Sequence, residues 1–235
     1  MALPQINEEP VYEMVVPSTK KTVKYRPFLV KEQRNLLIAG ESKDTRQIMN
    51  SMLSVITNCV EGVELKDLTI YDTDYMFTQI RSKSVGETTD MIHTCECGEK
   101  NKIQINLNEI VVPDVEQNMK IKINDNITLT MQYPSYDDLL KNGITESLDD
   151  NMTDTTMNLL RSCMHSVQTE DENILMRDET DEEIDRFINS LTTSQFDMLM
   201  EFVQGMPIMQ LTHEYDCQCG KKNELKLQGI QDFFS

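Results

Sequence analysis

The sequence contains the same tetrapeptide pattern twice, far apart, and each copy has the same surroundings. Cys95-Glu96-Cys97-Gly98 is followed by Glu99-Lys100-Asn101 and then by Ile103, Ile105 and Leu107. Cys217-Gln218-Cys219-Gly220 is followed by Lys221-Lys222-Asn223 and then by Leu225, Leu227 and Ile230. Apolar residues alternating with polar ones after a glycine-containing turn predict the second strand of a β-hairpin. Each cysteine pair is therefore expected at a hairpin tip, where glycine can take a positive φ and let the backbone curl around a ligand.

One tip offers two thiolates, whereas a structural zinc ion takes four ligands in a tetrahedron. Two tips supply four. Cys95, Cys97, Cys217 and Cys219 are expected to form one shared zinc site joining segments 122 residues apart. Closed sites of this kind bind with roughly 10–16 kcal/mol of apparent free energy, comparable to the net stability of a whole domain. A pair of disulfides and a redox-active C-x-C are the competing readings of the same residues. Catalysis at such a metal is not expected, because four cysteines leave no position for water.

The remaining cysteines, Cys59 and Cys163, fall on apolar helical faces and are expected to be small buried hydrophobes. No run of about 18 apolar residues predicts a membrane span. The N-terminal MALPQINEEP lacks the basic and apolar regions of a secretory signal. Six cysteines in that context fit a reducing cytosol, where thiols ligate metal or lie buried. The formal net charge of −18 repels nucleic-acid phosphates and anionic membrane surfaces, so neither is an expected partner. The charge is uneven, at −5 over residues 1–117 and −13 over 118–235.

Periodicity predicts an α+β chain. A hairpin over 11–26 is followed by Pro27, a helix from Phe28 to Ala39 stopped by Gly40, and a helix from Thr45 to Val60. Asp72 is read as the cap of a third helix ending before Gly86. A second hairpin centres on Asn124-Asp125-Asn126. Ser135 caps a short helix, a longer one covers Thr153 to Val167, and Thr180 and Thr192 open two more with capping boxes. The order of landmarks suggests a tandem duplication. Pro134 lies 107 residues after Pro27, Cys163 lies 104 after Cys59, and Cys217 lies 122 after Cys95. Two similar lobes are therefore expected, 1–117 and 118–235, each ending in a C-x-C-G hairpin and joined at the shared zinc. The second lobe would carry an acidic insertion near 168–185.

Beyond architecture, VPSTKKTVKYRPFLVKEQRNLLIA (16–39) and NCVEGVELKDLTIYDTDYMFTQIRSKSVGE (58–87), with the C-x-C-G that follows, resemble the baseplate hub protein family of T-even-type contractile-tailed bacteriophages. The motifs Arg26-Pro27-Phe28-Leu29-Val30-Lys31-Glu32 and Arg81-Ser82-Lys83-Ser84-Val85-Gly86 carry most of the likeness, which is strongest over the first 110 or so residues. The resemblance implies a hub subunit or hub assembly factor, partnered by other baseplate or tail proteins. It would be found in the host cytoplasm during assembly or in the virion tail. Arg26, Lys31, Arg34, Arg81 and Lys83 are basic residues in an acidic chain, and they read either as a contact surface for an acidic partner or as solvated helix-end charges.

No metalloprotease, nucleophile-elbow, dinucleotide or P-loop motif is present. His93 and His213 lie just upstream of the tips, where either could ligate zinc in place of a cysteine or hydrogen-bond a thiolate, and His165 is expected to pack in a helix. The chain is read as non-enzymatic. The competing classes are a zinc-ribbon adaptor of the cytosol and a thiol-redox enzyme working through the C-x-C pairs.

Overall fold

The computed structural model describes residues 9–141 and 152–234. They form a mixed helix and sheet protein of the expected α+β type. The chain divides into two compact units, one built from Met1–Pro113 with Ile208–Ser235 and the other from Asp114–Pro207. A cut at 117/118 separates the two cysteine hairpins. The compact units instead keep them together, because residues of both hairpins bury one another.

The first unit opens with a hairpin, β1 (Tyr12–Val15) and β2 (Thr22–Tyr25), with Tyr12 opposite Tyr25. Helix α1 (Val30–Ser42) follows. Its first turn is closed by Glu32, whose carboxylate accepts the Leu29 backbone N–H at 2.8 Å and pairs with Arg26 at 3.2 Å. Gly40 does not stop α1; the helix continues to Ser42 and ends where Lys43 turns left-handed at φ 56°. Helix α2 (Thr45–Cys59) is capped by Asp44, and Met52, Val55, Ile56 and Cys59 form its buried face as the spacing predicts.

Helix α3 (Ile70–Ser84) starts one turn earlier than a cap at Asp72 would allow. Thr69 is the cap, and the buried Asp72 is the acidic member of the box, accepting from the Thr69 backbone at 3.0 Å and its hydroxyl at 2.7 Å. The other Asp72 oxygen accepts the Ser18 backbone N–H at 2.8 Å, tying the first hairpin's turn to α3. Phe28 likewise donates its N–H to the Ser84 hydroxyl at 2.9 Å. Residues of the two motif stretches thus hold each other in place, and one apolar core lies between hairpin, α2 and α3.

Two antiparallel pairs complete this unit: β3 (Thr88–Thr94) with β4 (Lys100–Asn106), and β9 (Gln210–Asp216) with β10 (Lys222–Gln228). They share a core of Ile103, Ile105, Leu107 and Ile110 against Met209, Leu211 and Leu227. A reciprocal backbone bridge between Val111 and Gln210 adds to it, at 3.0 and 2.8 Å. Ile230 is not a strand residue, since Gly229 turns the chain into helix α8 (Gly229–Phe234).

The second unit has one four-stranded antiparallel sheet in sequential order, β5 (Lys120–Lys122), β6 (Thr128–Met131), β7 (Met164–Gln168) and β8 (Asn173–Leu175). Among its described residues the helices are α4 (Tyr136–Lys141), α5 (Met152–Cys163), α6 (Asp181–Asn189) and α7 (Thr193–Gln204). Leu129, Met131, Leu160, Cys163, Leu199 and Phe202 are at the heart of its core. The helix expected to reach Val167 stops at Cys163. From Met164 the backbone pairs with β6, and Gln132 donates its N–H to the Cys163 carbonyl at 2.7 Å. The acidic stretch 168–185 makes the β7–β8 turn, β8 itself and the capped start of α6.

Candidate metal centre

Local rules build the two tips identically. In the first, the Cys95 N–H donates to the Glu99 carbonyl at 2.9 Å and the Gly98 N–H to the Cys95 carbonyl at 2.8 Å. In the second, Cys217 to Lys221 and Gly220 to Cys217 repeat these bonds at 2.9 and 2.8 Å. Both turns need a left-handed residue, and Gly98 (φ 89°) and Gly220 (φ 83°) supply it without a Cβ penalty.

The four sulfurs lie within 4.8 Å of one another. Cys95 Sγ is 4.0 Å from Cys219 Sγ, and Cys97 Sγ is 3.7 Å from Cys217 Sγ. Four thiolates at about 2.3 Å from a central zinc sit about 3.8 Å apart by tetrahedral geometry. A disulfide requires about 2.05 Å. None of the six cysteines is in a disulfide, so the separations match ligands around an ion and not sulfur–sulfur bonds. Cys95 and Cys217 are buried while Cys97 and Cys219 are exposed, so each tip turns one thiol inward and one outward.

The contacts around the thiols are also reciprocal. Asn101, from the first hairpin, donates its amide N–H to Cys217 Sγ at 3.6 Å, and Asn223 Oδ1, from the second, lies 3.4 Å from Cys95 Sγ. Each asparagine stands six residues after the first cysteine of its own tip and serves the other tip. The identical spacing after each first cysteine is the one signal in the sequence that sets these two asparagines apart from ordinary turn residues. The Asn101 amide can stabilise thiolate charge on Cys217, whereas the Asn223 oxygen accepts from the Cys95 thiol. Lys221 and Glu96 form an ion pair across the tips.

The histidines do not join the four thiols. His93 Nδ1 is 2.5 Å from the Tyr215 hydroxyl, with the rings edge-on at 83°. His93 and Tyr215 occupy equivalent positions, two residues before each tip, so they add a further cross-hairpin link. His213 stands in β9 opposite Leu225. His165 is a strand residue, not a helical one; its Nδ1 lies 3.0 Å from Gln132 Oε1.

A family model described as T4 bacteriophage base plate protein matches residues 9–235, a span that includes both cysteine hairpins. The chain belongs to that family. Comparison with curated proteins and with solved structures returns no match. Among the described residues of this baseplate protein, no helix is long and apolar enough to cross a membrane.

The electrostatics of the baseplate protein's cysteine site reflect crowding. The Cys219 backbone N–H, aided by Asn101 and the neighbouring thiols, draws Cys217 down to about 7. Cys97 receives a similar pull from the Glu99 backbone, yet its bonds to the other three thiols and its desolvation outweigh it and push Cys97 up to about 12. Chemically identical groups diverge because thiolates this close cannot all carry charge without a cation among them. Cys59 and Cys163 behave differently: burial raises them to about 11 and about 12, which keeps both as neutral core thiols.

Basic motif residues prove to have intramolecular duties. Arg26 bridges Glu9 at 3.0 Å and Glu32 at 3.2 Å, Lys31 lies 3.4 Å from Glu32, and Lys83 pairs with Glu87.

Proposed function

We propose that the protein is a non-enzymatic component of the baseplate hub, either a hub subunit or a hub assembly factor, acting by contact with other tail proteins. The family match over 9–235 carries this reading. We further propose that Cys95, Cys97, Cys217 and Cys219 hold one structural zinc ion. The sulfur separations near 3.8 Å support it, as does the amide N–H that Asn101 donates to Cys217. An all-thiolate set favours zinc over hard cations such as calcium or magnesium, which take oxygen. Four protein ligands close the coordination sphere, so the ion's task would be to clamp the last hairpin onto the first.

The halves 1–117 and 118–235 are proposed as descendants of one duplicated unit. A matched detail supports this: after the second strand of each lobe's opening hairpin, Arg26 donates its N–H to the Cys59 carbonyl at 2.9 Å, and Gln132 donates to the Cys163 carbonyl at 2.7 Å. In each case a helix ends at the cysteine and the next residue bridges back to that strand, Val60 to Tyr25 and Met164 to Met131.

Elemental analysis of purified protein, together with the protein composition of tails assembled in infected cells, tests the reading. One zinc per chain and co-purification with baseplate intermediates are expected. Rapid thiol–disulfide exchange at the C-x-C pairs, surviving chelation, would instead indicate a redox enzyme. Zinc-bearing protein that never joins tail intermediates would indicate an adaptor outside the baseplate.

A further inference from the structure

The four thiols of the cysteine cluster differ in their access to solvent. Cys97 and Cys219 are exposed, whereas Cys95 and Cys217 are buried. Cys97 Sγ lies 3.7 Å from Cys217 Sγ, and Cys219 Sγ lies 4.0 Å from Cys95 Sγ. Each of these contacts joins an exposed thiol of one tip to a buried thiol of the other. Exposure decides which sulfur a dissolved oxidant reaches first, and proximity decides which sulfur answers it.

Bonds within a tip are disfavoured. Cys95 and Cys97 belong to a turn fixed by the hydrogen bonds from Cys95 to Glu99 and from Gly98 to Cys95, and the second tip repeats both. A disulfide between such near neighbours closes a small ring through the turn and departs from relaxed bond geometry. Across the tips the sulfurs have only about 2 Å to close, from 3.7 and 4.0 Å to the roughly 2.05 Å of a disulfide.

We propose that a peroxide converts the metal clamp into a covalent one, through the disulfides Cys97–Cys217 and Cys95–Cys219. Each bond forms in two steps. The exposed thiolate attacks one peroxide oxygen, the O–O bond breaks, and the sulfur becomes a sulfenic acid as hydroxide leaves. The buried thiolate of the facing tip then displaces a second hydroxide from that sulfur. Two thiolates thus give two electrons to one hydrogen peroxide, which takes two protons from solution and leaves as two waters. Zinc is not oxidised, and it departs as the free ion once its thiolates are consumed. The hairpins stay joined in both states, through the ion in a reducing medium and through sulfur in an oxidising one. The starting state rests on the zinc reading; the choice of pairs rests on the exposures and separations alone.

The test uses the full-length wild-type protein, its zinc content measured under reducing conditions before hydrogen peroxide is added. The expected result is release of one zinc per chain to a chromogenic chelator. Titratable thiols should fall from six to two, those of Cys59 and Cys163 in the apolar cores. Digestion without reduction should yield the Cys95/Cys97 and Cys217/Cys219 peptides as one linked species, and fragmentation should place the bonds at Cys97–Cys217 and Cys95–Cys219. Amide protection of β3, β4, β9 and β10 should survive zinc loss in the oxidised protein and disappear when a reductant joins the chelator. Bonds inside each tip, the pairing Cys95–Cys217 with Cys97–Cys219, sulfinic acids in place of disulfides, or zinc loss with collapse of protection would each overturn the proposal. Protein that holds no zinc before the peroxide fails the zinc reading, and the handover with it; zinc held but bonds placed elsewhere fails this proposal alone.

Discussion

The two units stabilise small antiparallel sheets by different means. The Asp114–Pro207 unit is continuous in sequence, and its four strands lie in one sheet with helices supplying a single apolar core. The other unit is assembled from segments separated by that whole insertion, and among its described residues strands occur only as two-stranded pairs. Isolated hairpins are marginal in water, since they bury little and present edges. The same residue type follows the same division. Cys163 ends a helix inside a core and is an apolar filler, whereas Cys95 and Cys217 end strands at turns where backbone curvature gathers sulfur. Position on the backbone, more than the residue itself, decides whether a thiol packs in a core or joins a cluster of thiols.

The largest expected effect concerns the discontinuous unit. Removing the metal, or the substitution Cys217→Ser, should abolish amide protection in β3, β4, β9 and β10 while β5–β8 stay protected, because comparable sites bind with roughly 10–16 kcal/mol. Simultaneous loss of protection in both units would break the contrast. Next in size is Leu160→Ala in the continuous unit. Leu160 is fully buried, and its truncation should cost about 2–5 kcal/mol there without altering metal content.

A smaller effect, about 1–3 kcal/mol, is expected for Asp72→Ala, which leaves the Ser18 and Thr69 donors unanswered in the first unit. Denaturant unfolding of the metal-loaded protein reads it. The smallest is Cys163→Ala, about 1 kcal/mol, and it carries a pH signature. Burial raises the folded thiol from 9.0 to about 12. Its contribution is therefore fully present below pH 9 and is lost as pH climbs toward 12. Measured as the difference between wild type and variant, that slope should vanish in Cys163→Ala.

Much of this was legible in the sequence because it is local. The alternation after each C-x-C-G, the positive-φ glycines and the boxes at Thr180 and Thr192 all depend on residues within a few positions. What escaped depends on distant partners. Met164 and Val167 are three apart and suit a helical face, yet pairing with Met131 and Leu129 makes them strand residues. Gly40 suits a helix stop by residue type, but nothing there demands a left-handed turn until Lys43. Asp72 is a good cap by residue type, but Thr69 three residues earlier completes the box and frees Asp72 to reach Ser18. The grouping of both hairpins in one compact unit rests on a shared core more than a hundred residues apart in sequence. The roles of Asn101 and Asn223 became visible only once each tip faced the other.

Zinc K-edge X-ray absorption on the purified, full-length protein probes the central claim most directly. The account calls for one zinc per chain with four sulfur scatterers at about 2.3 Å. A first shell containing nitrogen or oxygen, no bound zinc, or sulfur oxidised to disulfide at Cys95, Cys97, Cys217 and Cys219 would contradict it.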